Sequence, residues 1–151
     1  MSDSVRPTLG PFMNMVCFQY LRIGTEEVAD RAPVVASGRK RGYDVVTSLG
    51  LLSSTTDPKV IRDKLDEVLG INGTKLCLVH EVLAKPNGGY EVHISEGADI
   101  AGQTASEPIC AFSMGVFIGA IHAITGTRMM GHETSCCACG AKECVFQIDP
   151  V

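Results

Sequence analysis

Apolar side chains recur at helical spacing in three parts of the chain. Each part ends at a glycine, and the second also begins with a strong start signal, in which Asp57 can cap the helix and Pro58 occupies its first turn. We therefore predict three helices, over residues 33–49, 58–69 and 106–124. Residues 12–28 are also apolar, but their pattern does not distinguish a helix from a strand.

Two glycines lie four residues apart on one face of the first predicted helix. Gly38 and Gly42 lower the intrinsic stability of a helix, because glycine loses more backbone freedom on folding than other residues. They also leave space for another backbone to approach closely. We expect a tight contact between elements at this face.

Alternating apolar and polar positions predict strands elsewhere. Residues 74–85 and 90–95 flank the turn sequence PNGG and form a predicted hairpin. Residues 127–135 and 144–148 are predicted as two further strands on either side of a cysteine-rich loop. The expected fold class is α+β, with helices packed on an antiparallel sheet of at least four strands.

The length and composition indicate one globular domain. The chain has 151 residues, of which 45% are hydrophobic and 20% charged, and we place the domain at residues 11–151 after a disordered or extended N-terminus at 1–10. A net charge of -4 argues against nucleic acid as a partner. The N-terminus lacks a secretory signal, and the most apolar stretch is too short to span a membrane. We expect a cytoplasmic protein without a transmembrane segment.

Cysteine and glutamate spacing in the C-terminal part predicts a metal site. Seven cysteines in a cytoplasmic chain favour metal binding over disulfides. Glu133 precedes Cys136 by three positions, Cys144 follows across a tight loop, and Cys110 in the first turn of the third helix can supply a fourth ligand. Three sulfurs and one carboxylate predict a closed, structural zinc site.

Several alternatives stay open at this site. Cys137 and Cys139 could replace members of the set, or support an iron–sulfur cluster with four cysteines drawn from the same region. Ordinary buried cysteines are the third possibility. A metal-bound set would carry excess negative charge, which Arg128 and Lys142 are candidates to balance.

The C-terminal half resembles the 4-vinyl-reductase-like, or hydrocarbon-binding, domain. In that family, zinc is bound by a cysteine that opens a helix, a glutamate at a strand end and two cysteines flanking a short loop, and Cys110, Glu133, Cys136 and Cys144 fall on this pattern. The stretches VVASGRKRGYDVVTSLG and CAFSMGVFIGAIHAITG resemble the family's two helices, so the resemblance covers about residues 30–149. The stretch LGPFMNMVCFQYLRIG is most similar to small stand-alone members from cyanobacteria.

The resemblance implies a fold shared with the haem-nitric-oxide-binding domain and with vesicle-tethering subunits, which often form homodimers. It implies a binding or carrier role for a hydrophobic small molecule or a tetrapyrrole, linked to chlorophyll synthesis or photosystem assembly and to the periphery of the thylakoid membrane. The family name suggests a reductase, but the sequence has no dinucleotide fingerprint, which favours binding over catalysis. An iron–sulfur redox protein and a protein-binding assembly factor are the alternative functions.

A ligand pocket would have a mainly apolar lining with a few polar groups. The candidate lining residues are Tyr43, His80, Met114, Phe117 and His122. Each could instead be an ordinary core residue. The basic run at 39–41 could hold the propionates of a tetrapyrrole, or form a solvated helix face.

Overall fold

The computed structural model describes residues 6–10 and 15–151, except for the side chains of residues 15–17. Over this part of the chain it contains helices α1 Met15–Ala29, α2 Arg31–Ser48, α3 Pro58–Leu69 and α4 Ala111–Thr125. The strands are β1 Leu78–Ala84, β2 Tyr90–Ser95, β3 Met129–Ser135 and β4 Cys144–Pro150. A short 3-10 turn, Cys137–Cys139, lies between β3 and β4.

The described strands form one antiparallel sheet in the order β1-β2-β4-β3. The alternation that predicted β2 is present in the structure, where Tyr90, Val92 and Ile94 are buried and the residues between them are half-buried. The α+β class and the four-stranded antiparallel sheet are therefore confirmed. None of the helices within the described residues is long and apolar enough to cross a membrane.

Helices α2 and α4 cross with their backbones in direct contact. A Cβ atom added at Gly42 would overlap the carbonyl oxygen of Val116, and one added at Gly119 would overlap that of Arg39. Only glycine permits this separation, because any side chain would force the helices apart. The close approach predicted at Gly38 and Gly42 is confirmed, and α4 supplies the opposing glycines.

The start of α3 also follows the sequence prediction. The Asp57 carboxylate accepts a hydrogen bond from the backbone N–H of Lys59 at 2.9 Å, and Pro58 occupies the first turn. The ambiguous apolar segment near the N-terminus is the helix α1 over its described residues.

Helix α4 begins at Ala111, later than the sequence prediction. The fully buried Asp99 accepts hydrogen bonds from the backbone N–H groups of Phe112 and Ser113 at 3.1 and 3.3 Å and from the Ser113 hydroxyl at 2.6 Å. A distant carboxylate therefore caps the helix in place of a residue beside its first turn. The prediction that Cys110 lies in the first turn is wrong, because this residue precedes α4.

Residues 6–10 form a turn that is fixed to the loop after β2. Arg6 is buried and donates hydrogen bonds to the carbonyl oxygens of Glu96, at 2.7 Å, and Lys75. The Glu96 carboxylate accepts from the backbone N–H groups of Thr8 and Leu9. The rest of the expected disordered or extended N-terminus, residues 1–5, lies outside the described residues.

Candidate functional site

Four possible metal ligands meet where α4, β3 and β4 come together. One ligand atom from each of Cys110, Glu133, Cys136 and Cys144 lies within 4.8 Å of the others, and the three cysteines are buried. Cys110 comes from the residue before α4, Glu133 from β3, and the other two from either end of the loop between β3 and β4. The structure thus brings together the four residues that the sequence analysis selected.

The sulfur atoms in this cluster have the spacing of ligands and not of disulfides. Cys110 Sγ lies 3.6 Å from Cys144 Sγ and 3.9 Å from Cys136 Sγ. A disulfide would require about 2.05 Å. Two sulfurs bound tetrahedrally to zinc lie about 3.8 Å apart, as follows from a Zn–S bond of about 2.3 Å. The donor set and its spacing fit a metal ion.

Glu133 contributes a buried carboxylate whose two oxygens differ. Its side chain is 1% exposed, and Oε2 accepts hydrogen bonds from the Cys110 backbone N–H at 3.0 Å and from Arg31 at 3.2 Å. Oε1 is buried and has no hydrogen-bond partner among the described residues. A buried carboxylate oxygen without a partner is unfavourable, and a cation would satisfy it.

Arg31 provides the positive charge beside the cluster. Its guanidinium also donates to the carbonyl oxygen of Pro108 at 2.6 Å, which links the start of α2 to the segment before Cys110. Neither Arg128 nor Lys142, the candidates from sequence, forms an ion pair in the described part of the chain. The contact with Arg31 joins residues far apart in sequence, so local spacing could not indicate it.

The buried thiols and the carboxylate perturb one another. Burial raises the pKa of Glu133 to about 7, although hydrogen bonds from Cys110 act in the opposite direction. Hydrogen bonds with Cys110 and Cys144 lower the pKa of Cys136, and the bond to Cys136 raises the pKa of Cys110. The cluster therefore favours a thiolate at Cys136, which is the form that binds metals.

Cys137 and Cys139 lie beside this group but outside it. Cys137 is half-buried, and its backbone N–H donates to Cys144 Sγ at 3.2 Å. Cys139 is exposed. Within the described residues, no second group of three or more histidine, cysteine or acidic side chains is arranged to hold a metal.

An apolar cavity of about 260 Å³ lies between α2, α3 and α4. Its apolar lining includes Val45, Val46, Leu65, Val68, Val116 and Ala120. Arg41 and Thr74 are the polar residues of the lining, and both are exposed, so they mark the side on which the cavity meets solvent. An apolar body with few polar groups is typical of small-molecule sites.

None of the five ligand-contact candidates from sequence lines this cavity. Phe117 packs against Phe146 with ring centroids 5.6 Å apart, and Met114 is buried in the same core. The rings of Tyr43 and His122 lie 5.0 Å apart, while His80 is exposed on β1 and hydrogen-bonds Ser95. The lining comes instead from the apolar stripes of the helices, which a sequence cannot divide into core and cavity positions.

Residues 91–150 match the model of the vinyl-4-reductase domain family. The chain carries a vinyl-4-reductase domain. All four clustered residues, Cys110, Glu133, Cys136 and Cys144, lie within the matched region. The resemblance to the 4-vinyl-reductase-like family is thereby confirmed. A comparison with curated proteins finds no match to this chain.

Solved structures share the fold of this vinyl-4-reductase domain at low identity. The phenol-responsive sensory domain of the transcription activator PoxR, solved with phenol, has a TM-score of 0.60 at 15% identity and covers 93% of this chain and 76% of its own. A vinyl-4-reductase family protein from Methanocaldococcus jannaschii gives 0.57 at 15%, over 89% and 81%. A trafficking protein particle complex subunit 3 from Naegleria fowleri, covalently bound to palmitic acid, gives 0.58 at 14%, over 91% and 93%.

The predicted fold relationship is confirmed on both sides. The Naegleria trafficking subunit represents the expected vesicle-tethering fold. An H-NOX protein from S. oneidensis matches with a TM-score of 0.55 at 15% identity, over 90% of this chain and 72% of its own. At these identities the likeness establishes the fold alone.

Proposed function

We propose that this vinyl-4-reductase domain binds a small hydrophobic molecule in the cavity between α2, α3 and α4. The observation that carries the proposal is the apolar lining of that cavity, which has only Arg41 and Thr74 as polar members. Its volume of about 260 Å³ is near the lower end of the range of small-molecule pockets, about 300–1,000 Å³. Burying an apolar ligand there would remove apolar surface from water, which drives binding.

Two proteins with this fold support the proposal. The PoxR sensory domain was solved with phenol, and the Naegleria subunit with covalently bound palmitic acid. Both molecules have an apolar body with one polar end. A ligand of that general character suits an apolar cavity with polar residues on its solvent side.

The second part of the proposal is a structural zinc ion held by Cys110, Glu133, Cys136 and Cys144. The sulfur spacings and the unpartnered Glu133 Oε1 support it. Four protein ligands leave no open position for a reacting water, so zinc would stabilise the junction of α4 with β3 and β4 without taking part in hydrolysis. The same four ligands disfavour an iron–sulfur cluster, which would need Cys137 or Cys139 in place of Glu133.

Several finer predictions from the resemblance stay predictions. A tetrapyrrole is one candidate ligand, although the size of the cavity favours a smaller molecule. A homodimer, a cyanobacterial origin, a role in chlorophyll synthesis or photosystem assembly, and a thylakoid location are the others. A protein-binding assembly factor is the alternative function.

Filling the cavity tests the proposal. Val68 lines it from α3, so Val68→Phe should abolish binding of 1-octanol measured by isothermal titration calorimetry. Val60→Phe is the matched control, because Val60 lies on the same helix, is 42% exposed and does not line the cavity. Equal octanol binding by both variants, or none by the unmodified protein, would contradict the proposed site.

A further inference from the structure

The basic run on α2 divides into residues with different surroundings. Lys40 forms an ion pair with Asp44 at 2.6 Å on the exposed face of the helix. Arg41 lines the cavity. Among the described residues its guanidinium has neither an ion pair nor a side-chain hydrogen bond. The five N–H donors of Arg41 are therefore available at the solvent side of the cavity.

A second free donor lies on the wall next to α3. The backbone N–H of Thr74 donates to the carbonyl oxygen of Val68 at 2.8 Å, which fixes the segment after α3 against the end of that helix. The Thr74 hydroxyl makes no hydrogen bond within the described part of the chain, and Thr74 lines the cavity with Arg41. The cavity thus combines an apolar body with two hydrogen-bond donors and no carboxylate in its lining.

We infer that the cavity selects a small amphipathic acid, with its apolar body between the helices and its carboxylate on Arg41. This inference rests on the proposed function and names the class of its ligand. A guanidinium matches a carboxylate with two parallel hydrogen bonds, and such charge-assisted bonds are stronger than neutral ones. The carboxylate stays at the solvent side, so binding buries the apolar chain without the full cost of burying a charge.

Octanoate and 1-octanol separate the contribution of charge from that of apolar contact. By calorimetry, Arg41→Gln should weaken octanoate binding about five-fold, the effect expected for one partly exposed charge-assisted contact, and leave octanol binding unchanged. Arg41→Lys keeps the charge and should restore part of the octanoate affinity. Arg39→Gln is the control, since Arg39 belongs to the same basic run but does not line the cavity.

The outcomes distinguish this inference from the proposed function. If both ligands bind and Arg41→Gln changes neither affinity, or changes both equally, the acid-selective role of Arg41 is overturned and the hydrophobic site stands. If neither ligand binds the unmodified protein, the proposed site is overturned as well. Thermal melting of each variant shows whether it is folded before its affinity is compared.

Discussion

Cys136 and Cys139 are three positions apart but lie in different surroundings. Cys136 is buried, and its sulfur is 3.9 Å from that of Cys110, whereas Cys139 is exposed at the end of the 3-10 turn. The backbone of the turn separates them, because the Cys139 N–H bonds the Cys136 carbonyl oxygen at 3.0 Å. The residues next to the cluster therefore need not share its role.

Serine substitutions at these two cysteines test the ligand set. Cys136→Ser should lower zinc affinity by about 100-fold or more, since it removes a thiolate ligand, and should lower the melting temperature. Cys139→Ser should retain one zinc ion per chain. Elemental analysis of both variants after purification gives the metal content. Loss of metal from Cys139→Ser, with iron in the unmodified protein, would instead indicate an iron–sulfur cluster.

At the scale of elements, the contact between α2 and α4 depends on glycine. Gly119→Ala places a methyl group against the Arg39 carbonyl oxygen, so the two helices must separate. We expect the free energy of unfolding to fall by about 3 kcal/mol, the upper part of the range for overpacking. Chemical denaturation measures the change.

Gly24 offers a control in another helix. A Cβ atom there would meet nothing within 4 Å, so Gly24→Ala in α1 should leave stability unchanged or raise it by up to about 1 kcal/mol. A Gly119→Ala variant as stable as Gly24→Ala would show that the backbones are not in contact.

The outer face of the sheet carries a pH-dependent contact. His93 on β2 lies between Glu91, at 2.7 Å, and Glu143, at 3.0 Å. Partial burial acts to lower the pKa of His93, but the hydrogen bonds with both glutamates outweigh it and raise the pKa. A raised folded-state pKa adds stability below the unfolded-state value of about 6.5, and this contribution is lost as pH rises through the folded-state pKa.

Substitution at His93 should remove that pH dependence. The free energy of unfolding of His93→Gln should vary less than that of the unmodified protein as pH rises above about 6.5, by under about 1 kcal/mol because the groups are partly exposed. His132→Gln, at an exposed position on β3, is the control. Denaturation curves at several pH values make the comparison, and identical profiles for His93→Gln and the unmodified protein would contradict the assignment.

At the scale of the whole molecule, the predictions that succeeded depend on local signals. The Asp57-Pro58 start of α3, the alternation in β2 and the close contact at Gly38 and Gly42 all follow from neighbouring residues. The four clustered residues were found because the resemblance selected among the cysteines and glutamates of one region. Spacing alone had left Cys137 and Cys139 as alternatives.

The features that sequence could not predict join distant parts of the chain. Asp99 sets the start of α4, and Arg31 reaches Glu133 from α2. The cavity was missed for another reason. Nearly every side of α4 is buried, so Val116 and Phe117 follow each other in sequence with similar character, yet only Val116 lines the cavity.

A zinc ion in the cysteine cluster and a small apolar molecule in the cavity are the two bound species proposed for this domain. Native mass spectrometry of the protein, purified without added zinc or ligand and then titrated with octanoate, tests both in one sample. We predict a mass of one chain plus one zinc ion, and a further mass of one octanoate that is absent from Val68→Phe. A chain without metal that binds no octanoate, or that binds it equally after Val68→Phe, would contradict both proposals.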